Sequence, residues 1–274
     1  MLLLNDQLLP TATLPLPNRG LAFGDGFFET MICSAGRLRY APDHFNRMQL
    51  AAAALHLELP APLATAEALT ASMLRLTQAS ALPAARLRLQ IWRSGAGRYT
   101  PPTAAAEWLA TAEPFLPDPA EVGTAEFAQE NYALFSPLSF CKGPQAWLYV
   151  RAAHERQQRG LDEILLCDAA GHVAEAGAAA LFWTRQGELF TPALRSGCVA
   201  GVRRAHLLRV ARAHGVPCHE GLFKPAALLA ADAVFTANVA ALKLVKQIGA
   251  HQLPTAPPAL WARLQEWDAQ AAAD

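Results

Sequence analysis

The sequence predicts an α+β protein of two domains, and three features of it lead there. Arg86-Leu87-Arg88-Leu89-Gln90-Ile91-Trp92-Arg93 alternates apolar and polar residues, which is the period of a half-buried strand. After Pro42-Asp43, the apolar residues Phe45, Met48, Leu50, Ala52 and Leu55 fall mostly on one side of a helix. Between Thr111 and Gly123, Ala-Glu-Pro-Phe-Leu-Pro-Asp-Pro has three prolines and no amphipathic period, so it reads as a linker that divides the chain near residue 118. Residues 1–118 are therefore expected to form a small N-terminal α/β domain, and residues 119–274 a larger C-terminal domain.

The other elements follow in order. Gly26 to Cys33 reads as a strand with a turn at Ser34-Ala35-Gly36-Arg37, and Ala64 to Thr77 as a second helix. In the strand from Arg86, Arg93 shares the face of Leu87, Leu89 and Ile91, an unusual place for an arginine unless it binds something or reaches the sheet's end. Beyond the linker, Ala146 to Gln158 looks helical. Glu163 to Cys167 reads as a buried strand, turning at Asp168-Ala169-Ala170-Gly171 and returning through His172-Val173-Ala174-Glu175. Short strands at Leu181 to Thr184 and Glu188 to Thr191 precede a helix from Gly201 to about His214, a strand at Asp232 to Thr236, and a closing amphipathic helix from Pro258 to Ala271 packed through Leu260, Leu264 and Trp267.

Composition excludes several classes of function. Lys+Arg and Asp+Glu both total 23, so no net field favours nucleic acid or an anionic membrane. Five cysteines without CxxC spacing indicate neither a disulfide framework nor a zinc site, and they fit a reducing cytoplasm. No run approaches the roughly 18–20 apolar residues of a membrane span, and Met1-Leu2-Leu3-Leu4-Asn5-Asp6 lacks the basic start and apolar length of a signal peptide. The histidines are dispersed, with His44 and His206 read as structural, and no metal site is expected. Walker, GxGxxG, HExxH and GxSxG patterns are absent.

Four places stand out chemically. Lys142 sits in Ser139-Phe140-Cys141-Lys142-Gly143-Pro144-Gln145-Ala146-Trp147, an almost uncharged stretch of a chain with only 17% charged residues, so solubility gives little reason for it. Burial lowers a lysine's pKa and frees the neutral amine that attacks a carbonyl. A solvated loop lysine would look the same. Glu175, on the returning strand among alanines and a glycine, needs a donor or cation if it is buried, and is an ordinary surface glutamate if not. In Cys198-Val199-Ala200-Gly201-Val202-Arg203-Arg204 a glycine opens a helix, which suits a phosphate on the backbone amides, and two first-turn arginines gain if an anion sits there. Phe235-Thr236-Ala237-Asn238-Val239-Ala240 could present further amides, and Arg93-Ser94-Gly95-Ala96-Gly97-Arg98-Tyr99 is a flexible loop with an arginine at either end, a pattern that recognises carboxylates or is simply solvated.

Taken in order, Phe23-Gly24-Asp25-Gly26-Phe27-Phe28-Glu29-Thr30, His44-Phe45-Asn46-Arg47-Met48, Lys142, Gly171-His172-Val173-Ala174-Glu175, Gly201-Val202-Arg203-Arg204 and Ala231-Asp232 resemble the class IV aminotransferase family, the fold-type IV pyridoxal-phosphate enzymes. The resemblance runs from about residue 3 to about residue 248. It implies a larger C-terminal domain of pseudo-barrel form that contains the cofactor lysine, an active site in the cleft between the domains, and a homodimer. It implies pyridoxal 5'-phosphate (PLP) anchored by Lys142, with Val150 and Ala152 at the family's offsets beyond it. Glu175 would hold the pyridine nitrogen protonated. Arg47 would grip the phosphate, together with the helix start at Gly201, whose Val202 and Arg203 amides would face it, and a second amide cluster at Asn238, Val239 and Ala240.

Within the family, the Arg93 to Tyr99 loop is similar to that of aminodeoxychorismate lyases, and Leu181-Phe182-Trp183 and Asn238 lean the same way. The histidine that follows the matching arginine in D-amino-acid aminotransferases is missing here. The resemblance therefore implies a lyase that eliminates pyruvate from 4-amino-4-deoxychorismate to give 4-aminobenzoate for folate, with Arg98 and Arg93 holding a substrate carboxylate. Transamination of branched-chain or D-amino acids is the alternative. The sequence departs from the family at Ala180 and Gln145, where asparagine is usual, and at Gly143-Pro144. Ala180 is the feature that would support a third reading, a non-catalytic descendant.

Overall fold

The computed structural model describes residues 1–118, 120–143, 146–256 and 258–271. Pro144 and Gln145, two of the departures noted above, lie outside them. Contacts group the chain into two units, Met1–Leu116 with Cys141–Gln145, and Pro117–Phe140 with Ala146–Asp274.

The first unit contains β1 (Leu2–Leu4), β2 (Gln7–Leu9), α1 (Arg19–Phe23), β3 (Gly26–Ser34), β4 (Arg37–Leu38), α2 (Ala41–Ala54), α3 (Ala66–Ala79), β5 (Ala84–Arg93) and β6 (Ala106–Pro114). The strands form one antiparallel sheet in the order β2-β1-β6-β5-β3-β4. Its alternation is legible in β5, where Leu87, Leu89 and Ile91 are buried and the intervening Arg86, Arg88 and Gln90 are exposed. Arg93 falls on the buried face, as the register requires, and Trp92 beside it is buried too. Thr65 caps α3 by accepting from the Ala68 amide at 3.1 Å.

In α2 the buried face differs from the predicted stripe. It consists of His44, Arg47, Met48, Ala51 and Ala52, while Leu50 is half exposed. An apolar count cannot find a face whose polar members are paired inside the fold. The prolines of the linker also conceal strand ends, because β6 continues to Pro114.

The second unit contains β7 (Val122–Ala133), α4 (Trp147–Gln158), β8 (Glu163–Asp168), β9 (Val173–Ala176), β10 (Ala180–Arg185), β11 (Glu188–Pro192), α5 (Val202–Ala213), β12 (Cys218–Gly221), α6 (Ala226–Leu229), β13 (Ala233–Ala237), β14 (Leu242–Ile248), β15 (His251–Gln252) and α7 (Ala259–Ala271). The sheet runs β12-β11-β10-β13-β14-β7-β8-β9, with β15 on β14. It mixes parallel pairs, β14 with β7, β7 with β8 and β11 with β12, with antiparallel ones. A bridge between Ala176 and Ala179 ties the end strand β9 back towards β10, so the sheet curls on itself. One core cluster joins α5 and α7 to the sheet through Phe182, Leu207, Phe235, Leu264 and Trp267, with Phe182 and Phe235 stacked at 5.3 Å. Among the described residues, no helix is long and apolar enough to cross a membrane.

The lysine segment sits differently from the sequence-based division. Cys141–Gln145 groups with the first unit, and the Phe28 amide donates to the Lys142 carbonyl at 2.9 Å. A backbone pair between such distant stretches leaves no trace in local periodicity.

Where β3 meets β5, Gly26 lies opposite Trp92, and a Cβ there would come within 2.1 Å of the Ile91 carbonyl oxygen. Gly26→Ala should therefore cost about 1–3 kcal/mol as the strands part. An unchanged unfolding midpoint in calorimetry would refute this account of the contact.

Candidate active site

In the first unit, β3 and α2 set a carboxylate against two basic groups. Glu29 Oε1 accepts from Arg47 Nε at 2.7 Å, Oε2 accepts from Arg47 Nη2 at 2.5 Å, and His44 Nδ1 lies 2.7 Å from Oε2. All three residues are buried. Burial pushes the Glu29 carboxyl up, but the Arg47 charge and the His44 hydrogen bond outweigh it and bring the pKa down to about 2. His44 moves down as well, chiefly through burial, with the Arg47 and Lys142 charges acting the same way against the pull of Glu29. A neutral His44 beside an ionised Glu29 must donate from Nδ1. Its Nε2 then has no partner among the described residues.

Lys142 belongs to this neighbourhood, since its charge acts on His44 and its Nζ lies 5.9 Å from the centre of the Phe28 ring. Cys141 beside it is buried, and its thiol is pushed up by burial, so it is no nucleophile.

The two loop arginines separate. Arg93 is buried, and its Nε and Nη2 donate to Asp25 at 3.0 and 3.3 Å. Its other bonds go to the carbonyls of Leu55 at 2.6 Å, His56 at 2.9 Å and Thr103 at 3.2 Å. Donors engaged this way hold structure, and the Arg93 side chain is directed to protein partners. Asp25 also accepts from Arg19 Nε at 2.8 Å, and Arg19 Nη1 donates to the Arg98 carbonyl at 2.6 Å. Burial raises the Asp25 pKa, but bonds to the two arginines bring it below the usual carboxylate range. The Arg98 backbone is thus pinned while its side chain stays exposed.

In the second unit, Glu175 is 4% exposed, which removes the surface reading. Its Oε1 accepts from the Tyr149 hydroxyl on α4 at 2.7 Å, and its Oε2 from the Val199 amide at 3.2 Å. Tyr149 is a functional candidate that the sequence does not flag, because 26 positions separate it from Glu175. The neighbouring Cys198 thiol is pushed up to about 11 by burial and by the Glu175 charge.

Gly201 caps α5 without a side-chain acceptor, and a Cβ on it would lie 3.2 Å from Arg204 Cβ and 3.6 Å from Ala180 Cβ. The two first-turn arginines do not wait for an external anion. Arg203 is bound by Asp268, and Arg204 donates to Glu220 at 2.7 Å and to the Pro192 carbonyl at 2.8 Å. Of the second amide cluster, Asn238 N donates to the Ala241 carbonyl and Ala240 N to Asn238 Oδ1, both at 3.0 Å. Those two amides are therefore engaged within their own turn. Among the described residues, the amides of Val202 and Val239 have no acceptor. The structure thus groups Arg47 with Lys142 in one unit, and Glu175, Gly201–Arg203 and Asn238–Ala240 in the other. No group of three or more His, Cys, Asp or Glu residues that could hold a metal occurs among the described residues.

The Amino-transferase class IV family matches residues 26–245, and the chain belongs to that family. The chain is accordingly a PLP-dependent enzyme of that family. It is 25% identical to the aminodeoxychorismate lyase of Vibrio harveyi over 244 residues, 84% of this chain and 85% of that one. It is similar to the crystal structure of 4-amino-4-deoxychorismate lyase from Pseudomonas aeruginosa, with a TM-score of 0.85, 29% identity and 97% of each chain covered. The branched-chain aminotransferase of Thermoproteus uzoniensis shares the fold, with a TM-score of 0.88 at 22% identity over 99% of this chain and 94% of that one.

The residues present fit PLP. Val202 and Val239 have amides to offer a phosphate, and Glu175 is a buried carboxylate of the kind that bonds a protonated ring nitrogen.

Glu29 carries the clearest pH consequence. Its folded pKa of about 2 lies below the ordinary glutamate value of 4.5, so its stabilisation is present above 4.5 and is lost as pH falls towards 2. Glu29→Gln leaves Arg47 buried without its counter-charge, and should cost about 3–5 kcal/mol at neutral pH. The gap between the two proteins should narrow between pH 4.5 and 2 in chemical denaturation. A gap independent of pH would exclude an ionised Glu29.

Proposed function

We propose that the protein is a 4-amino-4-deoxychorismate lyase, forming 4-aminobenzoate and pyruvate. The observation behind this reading is the loop from Ser94 to Tyr99. Its backbone is held through Arg19 while the Arg98 side chain is left exposed, in a chain similar along 97% of its length to a lyase of known structure.

Lys142 would anchor PLP covalently and Glu175 would bond its pyridine nitrogen. The amides at Val202 and Val239 would hold its phosphate, with Arg47 beside them in role. PLP when bound supplies an electron sink for a bond breaking next to the substrate's amino nitrogen. This chain's residues supply the rest. The Lys142 amine takes the proton from C4 of the substrate, the C–O bond to the enolpyruvyl group breaks, and its methylene gains a proton as pyruvate leaves. Atoms balance without an oxidant or a second substrate, and aromatisation of the ring drives the step. Tyr149 keeps Glu175 in place by donating to it. Arg98 binds a substrate carboxylate as a charge-assisted pair.

Transamination is the second reading, favoured by 30% identity over 87 residues to the branched-chain-amino-acid aminotransferase of Escherichia coli K12. The protein acts as a homodimer, which the apolar surface left exposed at Tyr132, Leu134, Phe135, Trp147 and Val150 supports. Its five cysteines, all free thiols, support the cytoplasm as its compartment.

Incubation with 4-amino-4-deoxychorismate should release pyruvate and 4-aminobenzoate in equal amounts. Rapid amino exchange between amino acids and 2-oxoglutarate without pyruvate release would replace the lyase by the transaminase. Borohydride should fix PLP on Lys142, seen as added mass on its peptide, and Lys142→Ala should carry none. Arg98→Ala should raise KM by about 10- to 100-fold, the loss of one charge-assisted hydrogen bond, with little change in kcat. An unaltered KM would remove Arg98 from the substrate site.

A further inference from the structure

The family match ends at residue 245, yet a buried carboxylate beyond it binds Arg203, whose guanidinium reaches from one amide-bearing segment of the proposed phosphate cradle to the other. Asp268, on α7, is 2% exposed. Its Oδ1 accepts from Arg203 Nε at 3.1 Å and its Oδ2 binds Arg203 Nη2. The third arm of that guanidinium, Nη1, donates to the Asn238 carbonyl at 2.9 Å. Asn238 in turn accepts from Ala240 N at 3.0 Å and Ala241 N at 3.1 Å, and donates through Nδ2 to the Ala178 carbonyl at 3.2 Å. His206, one turn along α5 from Arg203, places its Nε2 3.7 Å from Asp268 Oδ1.

A guanidinium is a rigid plane whose N–H groups diverge at fixed angles. Two of its edges held by one carboxylate therefore aim the third, and here the third points at the Asn238 turn. The same pairing settles a competition. A buried guanidinium with no carboxylate would turn its positive charge and donors towards an arriving phosphate and draw it off the backbone amides. With Asp268 bound, the Arg203 charge is compensated and its donors are directed to Asp268 and Asn238. The amides at Val202 and Val239 are then the groups that meet the ligand.

Packing alone does not require this carboxylate. Helix α7 is docked by Leu260, Trp261, Leu264 and Trp267 in the core cluster, and Trp267 stacks on His214 with ring centres 4.0 Å apart. We infer that Asp268 is a positioning residue for the cofactor phosphate, acting through Arg203 to set the start of α5 and the Asn238 turn against each other. The inference rests on the PLP site proposed above.

The test compares wild type with Asp268→Asn, with the double substitution Asp268→Leu and Arg203→Met, and with Leu264→Ala. For each, the PLP dissociation constant is taken by equilibrium dialysis, the 31P resonance of bound PLP by NMR, and the unfolding midpoint by calorimetry. Asp268→Asn should weaken PLP by about tenfold or more, the size seen when the partner of a ligand-holding group is removed, and should move the 31P resonance. The double substitution removes both charges at once, so it should recover the unfolding midpoint but not the PLP affinity, because the link to Asn238 is gone. Leu264→Ala should lower the midpoint and leave PLP affinity unchanged.

Wild-type affinity and an unmoved 31P resonance in Asp268→Asn would overturn the inference. So would recovery of PLP affinity in the double variant, or equal weakening by Leu264→Ala. A wild-type protein that takes up no PLP on Lys142 would remove the reading beneath it as well.

Discussion

Arg19, Arg47, Arg93, Arg203 and Arg204 are almost wholly removed from solvent, and each meets a carboxylate: Asp25 for Arg19 and Arg93, Glu29 for Arg47, Asp268 for Arg203 and Glu220 for Arg204. Taking an ion out of water costs several kcal/mol after all relaxation, and a partner with good geometry is what offsets it. The carboxylates must stay ionised for this to hold, and the downward shifts of Asp25, Glu29 and Glu220 show that their arginines keep them so despite burial. Each pair also joins elements distant in sequence. Glu29 joins β3 to α2, Asp25 joins α1 to the end of β5, and Asp268 joins α7 to α5.

This pairing shapes the chemistry of the candidate site. In the proposed site Arg203 and Arg204 are already held by carboxylates, so at the start of α5 the phosphate would be met by backbone amides, together with the amide at Val239 and with Arg47. A glycine cap suits that role because it brings no side-chain acceptor of its own to the helix start. The cysteines near the candidate residues play no comparable part. Burial raises the thiols of Cys141 and Cys198, so neither is a ready nucleophile beside the proposed anchor Lys142.

The same fold supports lyases and transaminases, so the sheet does not choose between them; the choice lies in the residues that meet the substrate. In the proposed lyase reading the loop around Arg98 is the point of difference. It is flexible by composition, with Gly95 and Gly97 at positive φ, yet its backbone is tied down by Arg19. A loop of that kind can present one side chain in a defined place while giving way elsewhere.

Much of the molecule was legible in the sequence where a local period states which face is buried. The alternation in β5, the helix α3, the glycine opening α5 and the hairpin before Glu175 all follow from residues within a turn or two of one another. The order of short motifs carried the family and its cofactor. The long β7 and the strand β14 escaped, since small and polar residues interrupt their alternation. The face of α2 escaped because His44 and Arg47 are buried in place of apolar residues. Tertiary structure alone decided which partner each charge meets. Arg203 and Asp268 are 65 positions apart, Arg93 and Asp25 are 68, and Tyr149 and Glu175 are 26. A period along the chain specifies that a side chain turns inward. Only the packed fold brings a distant donor to it, which is why the partners of Arg93, Arg203 and Glu175 could not be read from the sequence.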